Sequence, residues 1–177
     1  MSLISSIKKL TLVLTLDEQK EKVLLGMKKR GFGAGKYNGF GGKLEPGETV
    51  EEAAIRELWE EAEIKALDLK RVGMIMFTFE KDPVGLEVHI FTTTQYEGKP
   101  TETEEMKPEW FDYKDIPFQS MWADDQHWFP YIIEYHQAFT GHIHFAEDQT
   151  TILKKHLIGL KDDEVLEAGF NIEKVIL

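Results

Sequence analysis

"GKLEPGETVEEAAIRELWEEAEI", Gly42 to Ile64, holds eight glutamates against two basic residues, Lys43 and Arg56. Val50, Ala53, Ala54, Leu58 and Ala62 recur at helical spacing and predict an amphipathic helix. Thr49 stands at its start, and Glu52 three residues later completes a capping box. Glu57, Glu60 and Glu61 then fall at i, i+3 and i+4, which share one helix face. Like charges so spaced destabilise a helix by roughly 0.2–0.5 kcal/mol a pair, and the C-terminal half of a helix disfavours anions further. The arrangement is costly unless a cation sits on it. Clustered carboxylate oxygens suit Mg²⁺, with Mn²⁺ as an alternative, rather than zinc. A solvated acidic face is the plain alternative.

The residues before the helix sharpen the choice. Glycines stand at 31, 33, 35, 39, 41 and 42. No GxxxxGK[ST] or GxGxxG can be laid on them. Gly41-Gly42 lets backbone approach closely just before a helix that carries metal-type carboxylates; the first three glycines are equally those of an ordinary loop. The basic residues gather here too, as Lys28, Lys29, Arg30, Lys36 and Lys43, in a chain of net charge −11. A small basic patch on an acidic protein suits a small anion, not a nucleic-acid polymer, which wants a basic face.

Further out, Leu10–Leu16 and Lys22–Lys28 read as strands around a polar turn. Residues 71–80 and 86–97 read as two more, with Pro83 and Gly85 between them, and 106–117 as a short strand and turn. "DQHWFPYIIEYHQAF" (125–139) reads as an aromatic helix with Pro130 in its first turn, and 141–148 and 150–160 as closing strands. That order is α+β or a mixed-sheet α/β sandwich. The 177 residues fit one domain, 1–177. There is no apolar run near the ~20 residues that span a bilayer, so no membrane association is expected. The start "MSLISSIKKLTLVLTL" lacks a signal peptide's continuous apolar core, and "MSL" reads as an expression scar. Absence of cysteine excludes a disulfide framework and is compatible with a cytoplasmic protein.

Gly42, five residues, Glu48, seven residues, then Arg56-Glu57-Leu58-Trp59-Glu60-Glu61-Ala62-Glu63-Ile64 resembles the Nudix box, GX5EX7REUXEEXGU. Glu63 departs from it, standing where the family has the glycine that ends the helix in a left-handed turn. Glutamate adopts that turn at about 1 kcal/mol; otherwise the helix runs on. The resemblance reaches beyond the box, through "YNGFGGK", "MWADDQHWFP" and "GHIHF", to the branch of the family acting on oxidised purine nucleotides. It spans about residues 10–155; 161–177 is an extension without assigned role, and truncation after Gly159 is expected to leave activity. Tyr37, Leu86 and Ala123 depart from that branch's tryptophan, methionine and proline.

The resemblance implies an α/β/α sandwich with a mixed sheet. It implies a Mg²⁺-dependent pyrophosphohydrolase that turns oxidised purine (deoxy)nucleoside triphosphates, 8-oxo-dGTP and 2-hydroxy-dATP, into monophosphate and pyrophosphate; a monomer is expected, with a dimer as the alternative. The implied metal ligands are the Gly41 carbonyl, Glu57, Glu60, Glu61 and Glu105, Glu104 being the near alternative to the last. Glu61 or Glu57 is the implied base, and Arg56 braces the site by pairing with Glu48. Phe40, Gly41, Gly42, Lys43 and Lys28 are implied to meet the substrate, and Thr11, Phe32, Asn38, Phe77 and Leu86 to wall the pocket. Trp122 offers a stacking face, and Asp124 with Asp125 would read the base edge, one protonated and one ionised. On the residues alone, "ADD" reads as an exposed turn. His142 and His144 share a strand face and read as a surface or edge strand rather than a metal pair. Trp59, Trp110 and Trp128 are expected in the core. Alternatives remain a Nudix hydrolase of methylated purine triphosphates or dinucleoside polyphosphates, and a silent nucleotide-binding module.

Overall fold

A computed structural model describes residues 4–161. The "MSL" start and all of the 161–177 extension except Lys161 lie outside the described residues, and with them the expectations placed there. The strands are β1 (Ser6–Asp17), β2 (Lys22–Lys28), β3 (Tyr37–Asn38), β4 (Ile64–Ala66), β5 (Lys70–Phe79), β6 (Val84–Thr93), β7 (Tyr96–Gly98), β8 (Met106–Asp112), β9 (Phe139–Phe145) and β10 (Ile152–Gly159). The helices are α1 (Val50–Ala62) and α2 (Asp125–Ile133).

The main sheet runs β10-β9-β5-β6-β1-β2-β3, with β8 on the other side of β2. It is mixed: β1 lies parallel to β6 and β5 parallel to β9, while the other pairs are antiparallel. Strand alternation divides the core into two layers. Leu14, Leu16, Val23, Leu25, Ile75 and Ile90 face α2 and pack on its Trp128, Phe129 and Ile132. Val13, Leu24 and Phe91 face the other way and pack on Ala54, Leu58 and Ala62 of α1. A helix therefore covers each face, which is the α/β/α sandwich.

β1 and β2 pair only near their turn, from Thr15↔Leu24 to Asp17↔Lys22. Beyond it they splay, and the segment Asn38–Lys43 runs between them. Asn38 pairs with Gly26 of β2, Phe40 bridges Val13, and Lys43 bridges Leu10. A Cβ on Gly41 would stand 1.8 Å from the Thr11 carbonyl oxygen, so this insertion admits only glycine there.

Several expectations change. The strand read over 86–97 breaks at Thr94, because Asp68 takes the turn's donors: the Thr93 hydroxyl at 2.5 Å and the Thr94 and Gln95 N–H groups, each at 2.9 Å. β7 then pairs with β4 as a separate ribbon. The α2 helix ends at Ile133, and Pro130 is its sixth residue instead of lying in the first turn. The Pro130 carbonyl closes the helix by accepting both the Glu134 and Tyr135 N–H groups, at 3.0 and 2.9 Å. β9 is an interior strand, so His142 and His144 are not on an edge; both rings meet the Thr78 hydroxyl, at 2.6 and 2.8 Å. Trp128 is in the core and Trp110 is half-buried, but Trp59 is 54% exposed on the outer face of α1. Among the described residues no helix is long and apolar enough to cross a membrane.

Candidate active site

The α1 capping box forms as read: Thr49 Oγ1 accepts the Glu52 N–H at 3.1 Å, and Glu52 accepts the Thr49 N–H at 2.8 Å. The other end stops at Glu63, which takes the left-handed conformation (φ 57°, ψ 32°) and donates its N–H to the Trp59 carbonyl. Glutamate thus does the glycine's work, and Glu57, Glu60 and Glu61 stay on one short, well-ended helix.

Arg56 ties this helix to the segment before it. Its guanidinium grips both oxygens of Glu48, at 2.7 and 3.0 Å, and also donates to the Lys43 carbonyl at 3.1 Å. The same group meets Glu57 at 3.0 Å and Glu60 at 3.2 Å. A Cβ on Gly42 would lie 2.5 Å from a Glu57 oxygen, so loop and helix are in direct contact. Glu61 is buried and accepts the Gly41 N–H at 2.8 Å. Burial pushes the Glu61 carboxyl up to about 8; the Gly41 N–H opposes this, while Glu57 and Glu105 add to it. Burial also raises Glu57, against the pull of Arg56.

Glu105 enters from the turn before β8. Its carbonyl accepts the Lys29 N–H, and its carboxylate lies 3.5 Å from Arg30, which also holds Glu104 at 3.6 Å. Glu57 and Glu61 both feel Glu105, which favours it over Glu104. Among the described residues no three acids or histidines are drawn into a cage around one point. Like charges explain this, since each carboxylate turns to a cation or an amide instead. The donor set nonetheless fits a hard divalent cation: oxygens only, with Glu57 and Glu61 carrying raised affinity for a neutralising charge.

A cavity of about 570 Å³ opens beside the splayed strands. Of the residues implied by the resemblance, it brings together Thr11, Lys28, Phe32, Asn38, Gly41, Gly42, Lys43, Glu61, Phe77, Leu86, Trp122, Asp124 and Asp125. Phe40 does not belong with them: it is fully buried in the α1 layer, because its place opposite Val13 turns it away from the cavity. Glu57, Glu60 and Glu105 lie outside the lining. Residues not foreseen include Phe79, Val88 and Ile90, which period-two alternation from Phe77 and Leu86 could have found. Lys36 and Gln149 also line it; Lys36 sits in the glycine loop, and Gln149 had no signal.

The far end of the cavity is aromatic and acidic. Phe32, 72% exposed, stacks on Trp122 with ring centroids 5.0 Å apart. Gly33 makes this approach with φ +82°, where a Cβ would stand 3.0 Å from the indole. Asp124 and Asp125 are buried, not an exposed turn. Asp124 accepts the Trp128 indole N–H at 2.9 Å, while Asp125 Oδ2 has no hydrogen-bond partner. Burial raises both carboxyls, and Asp124 raises its neighbour further.

Comparison with known proteins places this arrangement. A family model for the NUDIX domain matches residues 9–132. The oxidized purine nucleoside triphosphate hydrolase of Mus musculus is 51% identical over 83% of this chain and 92% of its own. That of Danio rerio is 52% identical over 78% and 86%. The Mutator MutT protein from Bacillus halodurans superposes with a TM-score of 0.75 at 25% identity, over 89% of this chain and 99% of that one. Enzymes of this kind generally need a divalent metal ion. The chain belongs to the Nudix family, as a hydrolase acting on phosphate anhydrides.

Proposed function

We propose that this protein hydrolyses oxidised purine (deoxy)nucleoside triphosphates, 8-oxo-dGTP and 2-hydroxy-dATP, to monophosphate and pyrophosphate, and so cleans the nucleotide pool. One observation carries the reading: a single cavity has an aromatic, acid-bearing end and a glycine-loop end against a carboxylate helix. The first suits a purine and the second a triphosphate. The names of the mouse and zebrafish relatives support the substrate class.

The base stacks at Trp122 and meets Asp124 and Asp125. A neutral Asp125 donates to the base edge and an ionised Asp124 accepts. Moving the proton between them exchanges donor for acceptor, which lets one pocket take both oxidised bases. Lys28 and Lys43 face the phosphate chain, with the backbone of Gly41–Gly42 close beside it. Mg²⁺ would be held by Glu57, Glu60, Glu61, Glu105 and the Gly41 carbonyl. A bound divalent ion supplies positive charge against the triphosphate and against the charge that builds on it. Glu61, the carboxylate that reaches the cavity, takes the proton of the attacking water. Water attacks one phosphorus of the α–β anhydride as that phosphorus parts from the bridging oxygen, giving monophosphate and pyrophosphate. Arg56 positions Glu57 and Glu60.

The test is a panel of 8-oxo-dGTP, 2-hydroxy-dATP, dGTP, dATP, a methylated purine triphosphate and a diadenosine polyphosphate. With Mg²⁺ and no partner protein, the two oxidised substrates are expected to give the highest kcat/KM, with pyrophosphate as product. Equal rates on unmodified dGTP would overturn the base assignment, and no hydrolysis of any substrate would leave only a binding module.

A further inference from the structure

The cavity is lined by three lysines, and one of them stands apart from the phosphate end. Lys28 lies close enough to Glu61 to act on it electrostatically, and Lys43 borders the Gly41–Gly42 backbone. Lys36 instead places its ammonium 5.3 Å from the centroid of the Trp122 ring, at the base end. It arrives there from the same loop that puts Phe32 on that indole, and its own carbonyl is fixed by the Lys28 N–H at 3.0 Å. Asp125, which lines the same cavity, is 2% exposed and carries an oxygen with no partner.

The geometry points to Lys36 as a specificity-determining residue: its charge, held at Trp122, sets how the proton is shared between Asp124 and Asp125 and hence which purine edge is preferred. This deepens the proposed function and rests on it. The surroundings leave few other groups to do so. Asp124 lies beside Asp125 and is engaged by Trp128. His127, two residues beyond Asp125 along α2 and on another side of it, is turned to Lys155 of β10, Nζ to Nδ1 at 2.9 Å. The β5, β6 and β9 walls contribute Phe77, Phe79, Leu86, Val88 and Phe145; of the other polar lining residues Thr11, Asn38 and Gln149 are neutral, and Lys28, Lys43 and Glu61 do not figure among the groups acting on Asp125. Burial and then the Asp124 charge raise the Asp125 carboxyl; the Trp122 backbone opposes them first and Lys36 second, and among the described residues Lys36 is the cation acting on it.

The sign follows. A cation favours the ionised acid. With Lys36 present, Asp125 loses its proton at lower pH than it otherwise would. Removing the charge keeps the acid neutral to higher pH, so a reaction that needs neutral Asp125 as donor extends further into alkali.

Lys36→Met, Lys36→Gln and Lys36→Arg should be compared with wild type, with kcat/KM followed against pH for 8-oxo-dGTP and 2-hydroxy-dATP. In the Met and Gln variants the alkaline limb is expected to move up by about half a unit to one unit. The ratio of the two kcat/KM values should change severalfold, and Arg should restore both. Using both neutral variants guards against one folding poorly, and circular dichroism identifies it. A uniform loss on both substrates with unmoved limbs would assign Lys36 to packing alone and overturn the proposal. If wild type prefers the oxidised purines and the variants match it in profile and ratio, the proposal fails while the function stands. If wild type shows no such preference, the function itself has failed.

Discussion

Glu57, Glu60 and Glu61, on the helix beside one end of the cavity, are met by a guanidinium, a peptide N–H and a lysine field, while Asp124 and Asp125 at the other end are met chiefly by rings and, at Asp125, by the weaker pull of Lys36. Both groups are crowded acids. The glutamates lie on a helix face that opens toward solvent at Glu60, and Arg56 partly neutralises them; on the proposed function a divalent ion would complete that neutralisation. The aspartates lie behind Trp122 and against Trp128, where burial favours the neutral acid and one oxygen of Asp125 stays unpartnered. On the proposed function, the same chemical class serves as an ion-binding group where cations stand close and as a base-reading group where apolar surfaces dominate.

The contrast is most sharply tested at Glu61. Glu61→Gln should lower kcat by about 10²–10⁴-fold, since it removes both the proton acceptor and a ligand. Its carboxyl is already raised by burial, so a neutral amide should leave the Tm in chelator unchanged or higher. The Tm gain on adding Mg²⁺ should shrink. A variant with wild-type turnover would remove Glu61 from the chemistry. At the other end, Asp124→Asn and Asp125→Asn should each cost about ten- to a hundredfold in kcat/KM, equivalent to roughly 1–3 kcal/mol, and unequally for 8-oxo-dGTP and 2-hydroxy-dATP. Mg²⁺ binding measured without nucleotide should be unchanged in both; altered binding would join the two ends that the comparison separates.

Arg56→Lys keeps the charge but loses the fork that spans Glu48, Glu57 and Glu60. It should lower stability by about 1–2 kcal/mol, read as the urea midpoint. An unchanged midpoint would mean that a positive charge suffices there and that the fork's geometry adds nothing in the free protein. Asp68 calibrates the comparison, because hydrogen bonds rather than a cation or an ion govern it. Burial would raise its carboxyl, but Thr93, Thr94 and Gln95 hold it down at about 2. Its contribution should therefore be full above the unfolded value near 4 and be lost as pH falls through about 2. Asp68→Asn should cost about 1 kcal/mol at neutral pH, with a gap to wild type that closes in acid. A gap of the same size at pH 2 would sink the assignment.

Much of this was legible because it was local. The α1 capping box and stripe follow from spacing alone, and the longer strands of the main sheet from alternation, whereas the short β3 inside the glycine loop and β4 after α1 carry no such pattern. What failed depended on contacts across the fold. Nothing near Thr94 in the chain signals that Asp68 will break the strand there. Phe40 and Asn38 stand two apart in one glycine-rich loop, yet the pairing with Val13 and Gly26 sends them to different places. Trp59 looked like core by residue type, whereas its position on α1 left it in water. The burial of Asp124 and Asp125 was visible only through family resemblance, because a polar pair beside a tryptophan reads equally well as a surface turn.

The parallel pairing of β1 with β6 has a kinetic consequence. Ser6 lies opposite Val84 and Thr15 opposite Thr93, so the two strands that floor the cavity meet only after the chain between them, α1 included, has been gathered in. Closing so large a loop gives up chain entropy before any contact rewards it. The carboxylate helix, built from neighbouring residues, can form early; the purine pocket must wait for the strands. Refolding followed by a probe on α1 should run ahead of refolding followed by Trp122, and nucleotide binding should return with the slower of the two.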